Sequence, residues 1–352
     1  MNAFGTHTRA EILSQPAVWL ETLQSLHSQA DELRRFFRQG AYNEVLFTGC
    51  GSTYYLSLAA AALFQDLTGI AGRGLPSSEI WLSPRSAWAA HPRTLLVAVS
   101  RSGETTETLY ACDAFRQVGA GDILTLTCYP GTHLAQVGAL NLVFPAAQEE
   151  SVAQTRAFST LYLATTVLGI LWGGRDDLFE GLERLPEIGR RLLEVTLPMA
   201  QRFGSRTDLD RFYFLGSSMR YGLACELSLK MKEMSLSHSE PFHFLEFRHG
   251  PVSMITPGSL IIGLVSQTNH SREKTVLSEM AAKGASVLTM AEQDANVAFE
   301  SGLDERLCGI FYLPAGQLIA LERALAKGLD PDQPNNLTAV VRLSSESKKS
   351  VS

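Results

Sequence analysis

A strand–loop–helix pattern occurs four times in this chain of 352 residues and constrains its fold more than any other feature. Each copy has a short apolar run, then a loop rich in glycine, serine or threonine, then a helical pattern. The four loops lie near Gly49, Ser100, Gly216 and Ser266. Strands that alternate with helices are typical of a parallel, doubly wound sheet, so we predict an α/β fold.

The spacing of these loops indicates two similar domains. The interval from Gly49 to Gly216 is almost equal to the interval from Ser100 to Ser266. Chance matches rarely preserve both order and interval, so we predict a duplicated domain. Pro16 predicts an early break in the N-terminal helical region. The predicted organisation is a helical segment over 1–40, a first domain over 41–185, a second domain over 186–335 and a tail over 336–352.

Composition excludes several classes of protein. The net charge is −6 and no basic run is present, so we expect no nucleic-acid partner. Five cysteines without a CxxC pair predict reduced thiols, a cytoplasmic location and no metal site. The N-terminus lacks an apolar signal core, so export is not expected. The uncharged stretch from Ala157 to Gly174 contains several hydroxyls and glycines, which predicts a buried helix and no membrane span.

Two loops of the first half are candidate anion sites. The segment from Ser100 to Thr106 supplies hydroxyls, a glycine and a guanidinium at a predicted helix start, where free backbone N–H groups favour negative charge. The segment from Gly49 to Thr53 occupies the neighbouring position, and together they could enclose a phosphate. Ordinary helix capping and turn formation explain the same residues, and the sequence leaves both alternatives open. Neither loop is a Walker A or dinucleotide fingerprint.

The second-half loops contain serines as well, at Ser217, Ser218 and Ser266. They are either further anion sites or remnants of a duplication, and the sequence does not decide between these.

Glu226, Lys230 and Glu233 are spaced i, i+4, i+7 and project from one face of a predicted helix. Core-type residues surround them, and buried charges titrate abnormally, so they are candidates for acid–base chemistry. The alternative is a solvent-exposed helix pair of little consequence. His249 precedes a Gly-Pro turn and is a candidate for proton transfer near neutral pH.

These motifs together resemble the SIS (sugar isomerase) superfamily, in particular the isomerase half of glucosamine-6-phosphate synthase and its stand-alone isomerase, deaminase and deglycase relatives. The matching segments, in the family's order, are Gly49–Tyr54, Ser100–Thr105, Val152–Phe158, Glu226 with Lys230 and Glu233, Arg248–Pro251 and Gly328–Pro334.

The resemblance implies two tandem, flavodoxin-like SIS domains with parallel sheets flanked by helices. It implies that the first domain holds a sugar phosphate and that no metal or organic cofactor is needed. The implied substrate-binding residues are Gly51, Ser52, Thr53, Ser100, Arg101, Ser102, Thr105 and Gln154.

The resemblance also implies catalytic roles. Glu233 would move a proton between C1 and C2, with Lys230 and Glu226 beside it, and His249 would open the sugar ring from the neighbouring subunit of a homodimer. The expected function is a phosphosugar isomerase or deaminase acting on a C6-phosphorylated sugar or amino sugar. The alternatives are a fructosamine-6-phosphate deglycase and a non-catalytic module that senses a sugar phosphate. A pure sensor needs only the anion loops, so the acid–base residues favour an enzyme.

Three features depart from the family pattern. The 352 residues lack the synthase's N-terminal nucleophile cysteine and glutaminase domain, so we expect no glutaminase activity from them. Ala339 occupies the place where the synthase has a tail lysine, which predicts different ketose recognition. Arg101 replaces the family's common glutamine and predicts an added charge at the phosphate loop.

Overall fold

Two parallel five-stranded sheets, each flanked by helices, form the chain in its computed structural model, which describes residues 4–88, 93–119 and 121–343. The strands are built from nearly continuous apolar runs. The strand Thr94–Val99, for example, is buried at every position. Such runs are typical of parallel sheets, because helices cover both faces.

The first half contains the first sheet and a helical N-terminal segment. Its elements are α1 Thr6–Ser28, α2 Ala30–Gly40, β1 Glu44–Gly49, α3 Ser52–Thr68, β2 Ala71–Pro76, α4 Ser77–Leu82, α5 Pro84–Ala87, β3 Thr94–Val99, α6 Thr106–Val118, β4 Gly121–Thr127, α7 Leu134–Val137, β5 Leu140–Val143 and α8 Arg156–Trp172.

The second half repeats this alternation. Its elements are α9 Phe179–Gly204, β6 Arg211–Leu215, α10 Met219–Ser235, β7 His238–Phe242, β8 Ser259–Leu264, α11 His270–Ala282, β9 Ser286–Ala291, β10 Val297–Ala298 and α12 Tyr312–Ala326. Short 3-10 turns at Glu246–Arg248 and Pro251–Met254 follow β7.

The strand orders are β2-β1-β3-β4-β5 and β10-β9-β8-β6-β7. Counted from the first strand of each half, both sheets have the order 2-1-3-4-5. The predicted doubly wound α/β fold is therefore confirmed. The origin of the two halves by duplication stays a prediction. The domain bounds also stay a prediction, and helix α9 continues through the proposed boundary at 185/186.

The uncharged stretch after Ala157 forms α8, which is buried along almost its whole length, as predicted. Helix α1 and helix α3 both pack against it. Within the described ranges, no helix has the length and apolar character required to cross a membrane.

The predicted break at Pro16 is wrong, because α1 continues through it. A proline lacks the N–H that would bond the carbonyl four residues earlier, here that of Ile12. The side chain of Gln15 supplies a replacement, since its Nε2 donates to the Ile12 carbonyl oxygen at 3.0 Å. The helix therefore loses no hydrogen bond to this carbonyl.

The N-terminus of α1 is capped by a residue far away in sequence. Asp332 accepts hydrogen bonds from the backbone N–H of Thr8 at 2.7 Å and of His7 at 3.1 Å, and from the Thr8 hydroxyl at 2.7 Å. The first turn of α1 contains no acidic residue of its own. The turn after α12 thus satisfies two free N–H groups of α1 and ties this N-terminal helix to the C-terminal part of the described chain.

We expect Asp332→Ala to lower the free energy of unfolding by about 0.5–2 kcal/mol, the usual effect of losing a helix cap. Urea denaturation measures this change. Glu187→Ala is the control, because Glu187 is exposed and lies in the interior of α9, away from a helix N-terminus. Equal stabilities of the two variants would show that the remote cap contributes nothing.

Candidate functional site

Helix α10 carries two carboxylates and a lysine on one buried face. Lys230 Nζ lies 3.3 Å from Glu226 Oε1 and 2.5 Å from Glu233 Oε2. The side chains of Glu226 and Lys230 are fully buried (0%), whereas Glu233 keeps 19% of its surface exposed. Burial excludes the alternative of a solvent-exposed pair, which would keep both charges in water. Glu233 is the member of this triad that faces solvent.

Ser52, the first residue of α3, joins this triad. Lys230 Nζ donates to Ser52 Oγ at 3.0 Å, and the Ser52 hydroxyl donates to Glu226 Oε1 at 3.2 Å. A lysine ammonium has three donors, and its contacts here are one oxygen each from Glu226, Glu233 and Ser52. The triad is therefore completed by the first half of the chain.

A glycine brings α3 and α10 close enough for this contact. A Cβ atom at Gly222 would lie 2.5 Å from the backbone nitrogen of Ala59 and 2.6 Å from the carbonyl oxygen of Tyr55. Both atoms belong to the backbone of α3 and cannot move aside as a side chain would. Only glycine permits this approach, which places Ser52 against the triad.

Burial changes the protonation of the triad. It raises the pKa of Glu226 to about 8, against the lowering effect of Lys230. Oxygen Oε2 of Glu226 is buried without a hydrogen-bond partner in the described structure, which suits a protonated carboxyl group. Burial alone lowers the pKa of Lys230, but the two carboxylates outweigh it and raise that pKa. The triad therefore holds a charged Lys230 beside a neutral Glu226 at neutral pH.

The two candidate anion loops of the first half lie side by side. Strands β1 and β3 are neighbours, and β2 lies on the other side of β1. In open α/β sheets, ligands bind at the carboxyl ends of the strands where the strand order reverses. The loops after β1 and β3 flank this crevice.

Three hydroxyls cluster in the loop after β3. Ser100 Oγ lies 3.1 Å from Thr105 Oγ1 and 3.4 Å from Ser102 Oγ. The distance between Thr105 Oγ1 and Ser102 Oγ is 3.5 Å. Thr105 makes no side-chain cap of α6. Ser100 and Ser102 do brace the turn, because they accept hydrogen bonds from the backbone N–H of Gly103 and Glu104, each at 3.2 Å. Accepting these bonds leaves their O–H groups available as donors.

The loop after β1 is braced by its own threonine. Thr53 Oγ1 accepts from the backbone N–H of Cys50 at 2.9 Å and donates to the Cys50 carbonyl at 3.0 Å. Gly51 has a φ of +56°, which favours glycine. The Thr53 hydroxyl thus fits the turn-forming alternative, and its contact with a ligand stays a prediction.

Arg101 pairs within the chain. Its Nη1 lies 3.2 Å from Glu149 Oε2, and the Glu149 side chain is fully buried (0%). Nη1 also donates to the Ser151 carbonyl at 3.3 Å, and Nη2 donates to the Ala339 carbonyl at 3.2 Å. The added charge expected at the phosphate loop is therefore balanced by a carboxylate, and Arg101 also contacts the C-terminal tail.

Sequence reasoning missed Glu149. It lies far along the chain from Arg101, and one of its oxygens also accepts from the backbone N–H and hydroxyl of Thr155. No periodic pattern marks it. Its only signal is position, since it lies just before the segment around Gln154 that the family resemblance selects.

Gln154 and His249 have side-chain groups without partners in the described structure. Oxygen Oε1 of Gln154 is buried and accepts no hydrogen bond from any residue that the structure describes. His249 is exposed, and among the described residues its only hydrogen bond joins its backbone N–H to the Glu246 carbonyl at 2.9 Å. The adjacent Arg248 is held by Glu279 through two bonds of 2.7 and 2.8 Å, which fixes the loop while the imidazole stays accessible.

Comparison with known proteins gives a consistent result. The chain matches the SIS domain over residues 42–171 and 207–306. It is 33% identical over 352 residues to the glutamine–fructose-6-phosphate aminotransferase (isomerizing) of Symbiobacterium thermophilum, covering 92% of this chain and 55% of the relative. The chain therefore spans about half the length of this relative.

Solved structures share the same fold. Glucosamine-6-phosphate deaminase from Thermotoga maritima aligns with a TM-score of 0.79 and 28% identity, covering 92% of this chain and 99% of that one. Tagatose-6-phosphate ketose/aldose isomerase from Escherichia coli aligns with a TM-score of 0.82 and 20% identity, covering 95% and 96%, and shows likeness of fold alone.

The raised pKa of Glu226 predicts a pH-dependent stability. Between its ordinary value of 4.5 and about 8, the folded chain retains this proton and the unfolded chain releases it. The contribution of Glu226 to the free energy of unfolding therefore falls as pH rises through this window, by at most about 1.4 kcal/mol per pH unit.

We expect Glu226→Gln, which keeps the neutral shape, to gain stability relative to the wild type as pH rises from about 5 to 8. Urea unfolding at several pH values measures the difference. Glu180→Gln, at an exposed position, is the control. Parallel pH profiles for the wild type and Glu226→Gln would contradict the assignment.

Proposed function

The chain belongs to the SIS domain family, and we propose that it is a phosphosugar isomerase or aminosugar-6-phosphate deaminase that transfers a proton between C1 and C2 of its substrate. The substrate is a C6-phosphorylated sugar or amino sugar. The observation that carries this proposal is the triad of Glu226, Lys230 and Glu233, in which two members are fully buried (0%) and the third faces solvent.

The triad supplies the parts that this reaction needs. Glu233 is the carboxylate with access to a ligand, and we assign it as the base that takes a proton from one carbon and returns it to its neighbour. The negative charge that develops on the enediolate or enolamine requires a nearby cation. Lys230, held 2.5 Å from Glu233 Oε2, is that cation.

Glu226 has a different role in this scheme. Its raised pKa keeps it neutral near pH 7, so it does not cancel the charge of Lys230. It contacts Lys230 directly at 3.3 Å and shares the Ser52 hydroxyl with it. We therefore assign Glu226 as a residue that positions Lys230.

The hydroxyls of Ser100, Ser102 and Thr105 are the proposed phosphate ligands. They converge within 3.5 Å of one another at the N-terminus of α6, where the helix favours a bound anion. Since Arg101 is paired with Glu149, charge compensation comes from hydrogen bonds and the helix end more than from a free cation.

The relatives support both reaction types. The protein of known structure at 28% identity is named a deaminase, and the curated relative at 33% identity is named an isomerizing aminotransferase. Both names denote chemistry on sugar 6-phosphates. A panel of C6-phosphorylated hexoses, hexosamines and fructosamines, scored for isomer, ammonia and amine release, decides which reaction the chain performs.

We further propose a homodimer in which His249 completes the neighbour's site. Its imidazole is exposed and has no side-chain hydrogen bond or ion pair within the described residues. Two apolar side chains of the same region, Leu245 and Met254, are 46% and 47% exposed. A second subunit would cover this surface.

We expect Glu233→Gln to reduce turnover of the substrate found by the panel by about 10²–10⁴-fold, because only the base is removed. Affinity for the 6-phosphate sugar should stay near that of the wild type. Proton exchange at C1 and C2, followed by NMR in D₂O, measures the step directly. Ser102→Ala is the contrasting variant, since it should weaken binding of the phosphorylated sugar and spare the proton transfer. Wild-type exchange in Glu233→Gln would refute the role of Glu233.

We expect mixtures of Glu233→Gln and His249→Ala chains to regain activity, because a mixed dimer has one site free of both substitutions. Equal mixtures should reach about a quarter of wild-type activity, since half of the dimers are mixed and one of their two sites is intact. Subunit exchange is verified by native mass spectrometry. Mixed dimers that stay inactive would place His249 in its own subunit's site or outside catalysis.

A further inference from the structure

The second half has a crevice of the same topology as the candidate site. Strands β6 and β8 are neighbours at the point where the second sheet reverses its order. The loops that follow these strands border a cavity of about 200 Å³, which is also lined by Leu63 and Asp66 of α3 and by Glu305 and Arg306. Ser218 precedes α10 as Gly51 precedes α3, and it has nearly the same backbone, with φ 54° and ψ −132° against φ 56° and ψ −121°.

An anion from the chain itself engages the hydrogen-bond donors of this crevice. The Glu305 carboxylate accepts hydrogen bonds from the backbone N–H of Gln267 at 2.9 Å and of Thr268 at 3.4 Å. It also accepts a bond from the Thr268 hydroxyl. The guanidinium of Arg220 donates to the same carboxylate at 2.9 Å. Backbone amides, a hydroxyl and a guanidinium are the donors that proteins use for phosphate.

Arg220 is held in place independently of Glu305. It is 5% exposed, and its Nε donates to the Tyr312 hydroxyl at 3.1 Å. That hydroxyl in turn donates to the Val265 carbonyl at 2.7 Å. Arg220 is the second residue of α10, and Thr53 is the second residue of α3. At this corresponding position the second crevice therefore has a fixed cation, whereas the first has a hydroxyl group.

Glu305 is ionised in this setting. Burial alone raises its pKa, but the bonds from Thr268 and the charge of Arg220 outweigh burial and lower it. Its side chain remains 23% exposed, so the bound carboxylate lies at the mouth of the crevice.

We propose that the second crevice is a binding site for a phosphate group that Glu305 keeps closed, and that removing the Glu305 carboxylate opens it. The carboxylate takes the place of a bound oxyanion and balances the buried charge of Arg220. The wild-type chain accordingly binds no phosphate in its second half. This inference does not depend on the reaction proposed for the first half.

Equilibrium dialysis with inorganic phosphate tests the proposal on the full-length chain. Glu305→Ala is expected to bind one more phosphate per chain than the wild type. The double variant Glu305→Ala/Arg220→Met should lose that additional phosphate. Glu279→Ala is the matched control, because Glu279 is likewise bonded to an arginine but, among the described residues, accepts no hydrogen bond from a backbone N–H of a loop. An unchanged phosphate count in Glu305→Ala, or an equal gain in Glu279→Ala, overturns the proposal.

Thermal melting provides a second readout in case Glu305→Ala folds poorly. Glu305→Gln keeps the side chain's size but removes its charge, and phosphate should stabilise it more than the wild type. When the phosphate concentration is ten times the Kd of the opened crevice, binding there raises the ratio of folded to unfolded protein by a factor of about eleven. A hexose 6-phosphate in place of inorganic phosphate shows whether the opened crevice also admits an ester. The proposal is contradicted if inorganic phosphate stabilises Glu305→Ala, Glu305→Gln and the wild type equally.

Discussion

The close contact of α3 with α10 at Gly222 is the constraint on which the rest of this structure depends. The two helices belong to different halves of the chain, and the missing side chain lets their backbones touch. This contact places Ser52 beside Lys230 and removes the lysine from water. An additional methyl group would meet immovable backbone atoms and separate the halves where the charged groups meet.

Once the lysine is buried, the charges around it follow from simple electrostatics. A buried cation is costly unless its donors are satisfied, and Lys230 has three oxygen neighbours. Two ionised carboxylates next to one lysine would leave an excess negative charge in a dry environment. The fully buried carboxyl, Glu226, therefore keeps its proton at neutral pH, whereas Glu233 faces solvent. Position along one helix thus assigns different chemistry to two residues of the same type.

The two crevices show how one backbone arrangement accommodates different ligands. In the first half, three hydroxyls converge and the nearby Arg101 is engaged by Glu149. In the second half, a fixed arginine is balanced by Glu305, whose carboxylate engages the hydrogen-bond donors of the crevice. An oxyanion can enter where the donors are hydroxyls that exchange partners easily. It competes poorly where a tethered carboxylate already satisfies a buried cation.

The sequence by itself determined the α/β fold, the strands that precede the four predicted loops and the charged face of α10, because apolar periodicity and helical spacing are local properties of the chain. It did not indicate β2, β7, β9 or β10. It did not reveal how Pro16 is accommodated, since that depended on the orientation of one neighbouring side chain. It also left open whether the helix charges were buried. Only the tertiary structure decided that Ser52 joins the triad, that Arg101 pairs with Glu149 and that Arg220 pairs with Glu305. The physical reason is that a charged side chain's partner is selected by packing and local dielectric, which bring together residues that no sequence interval relates.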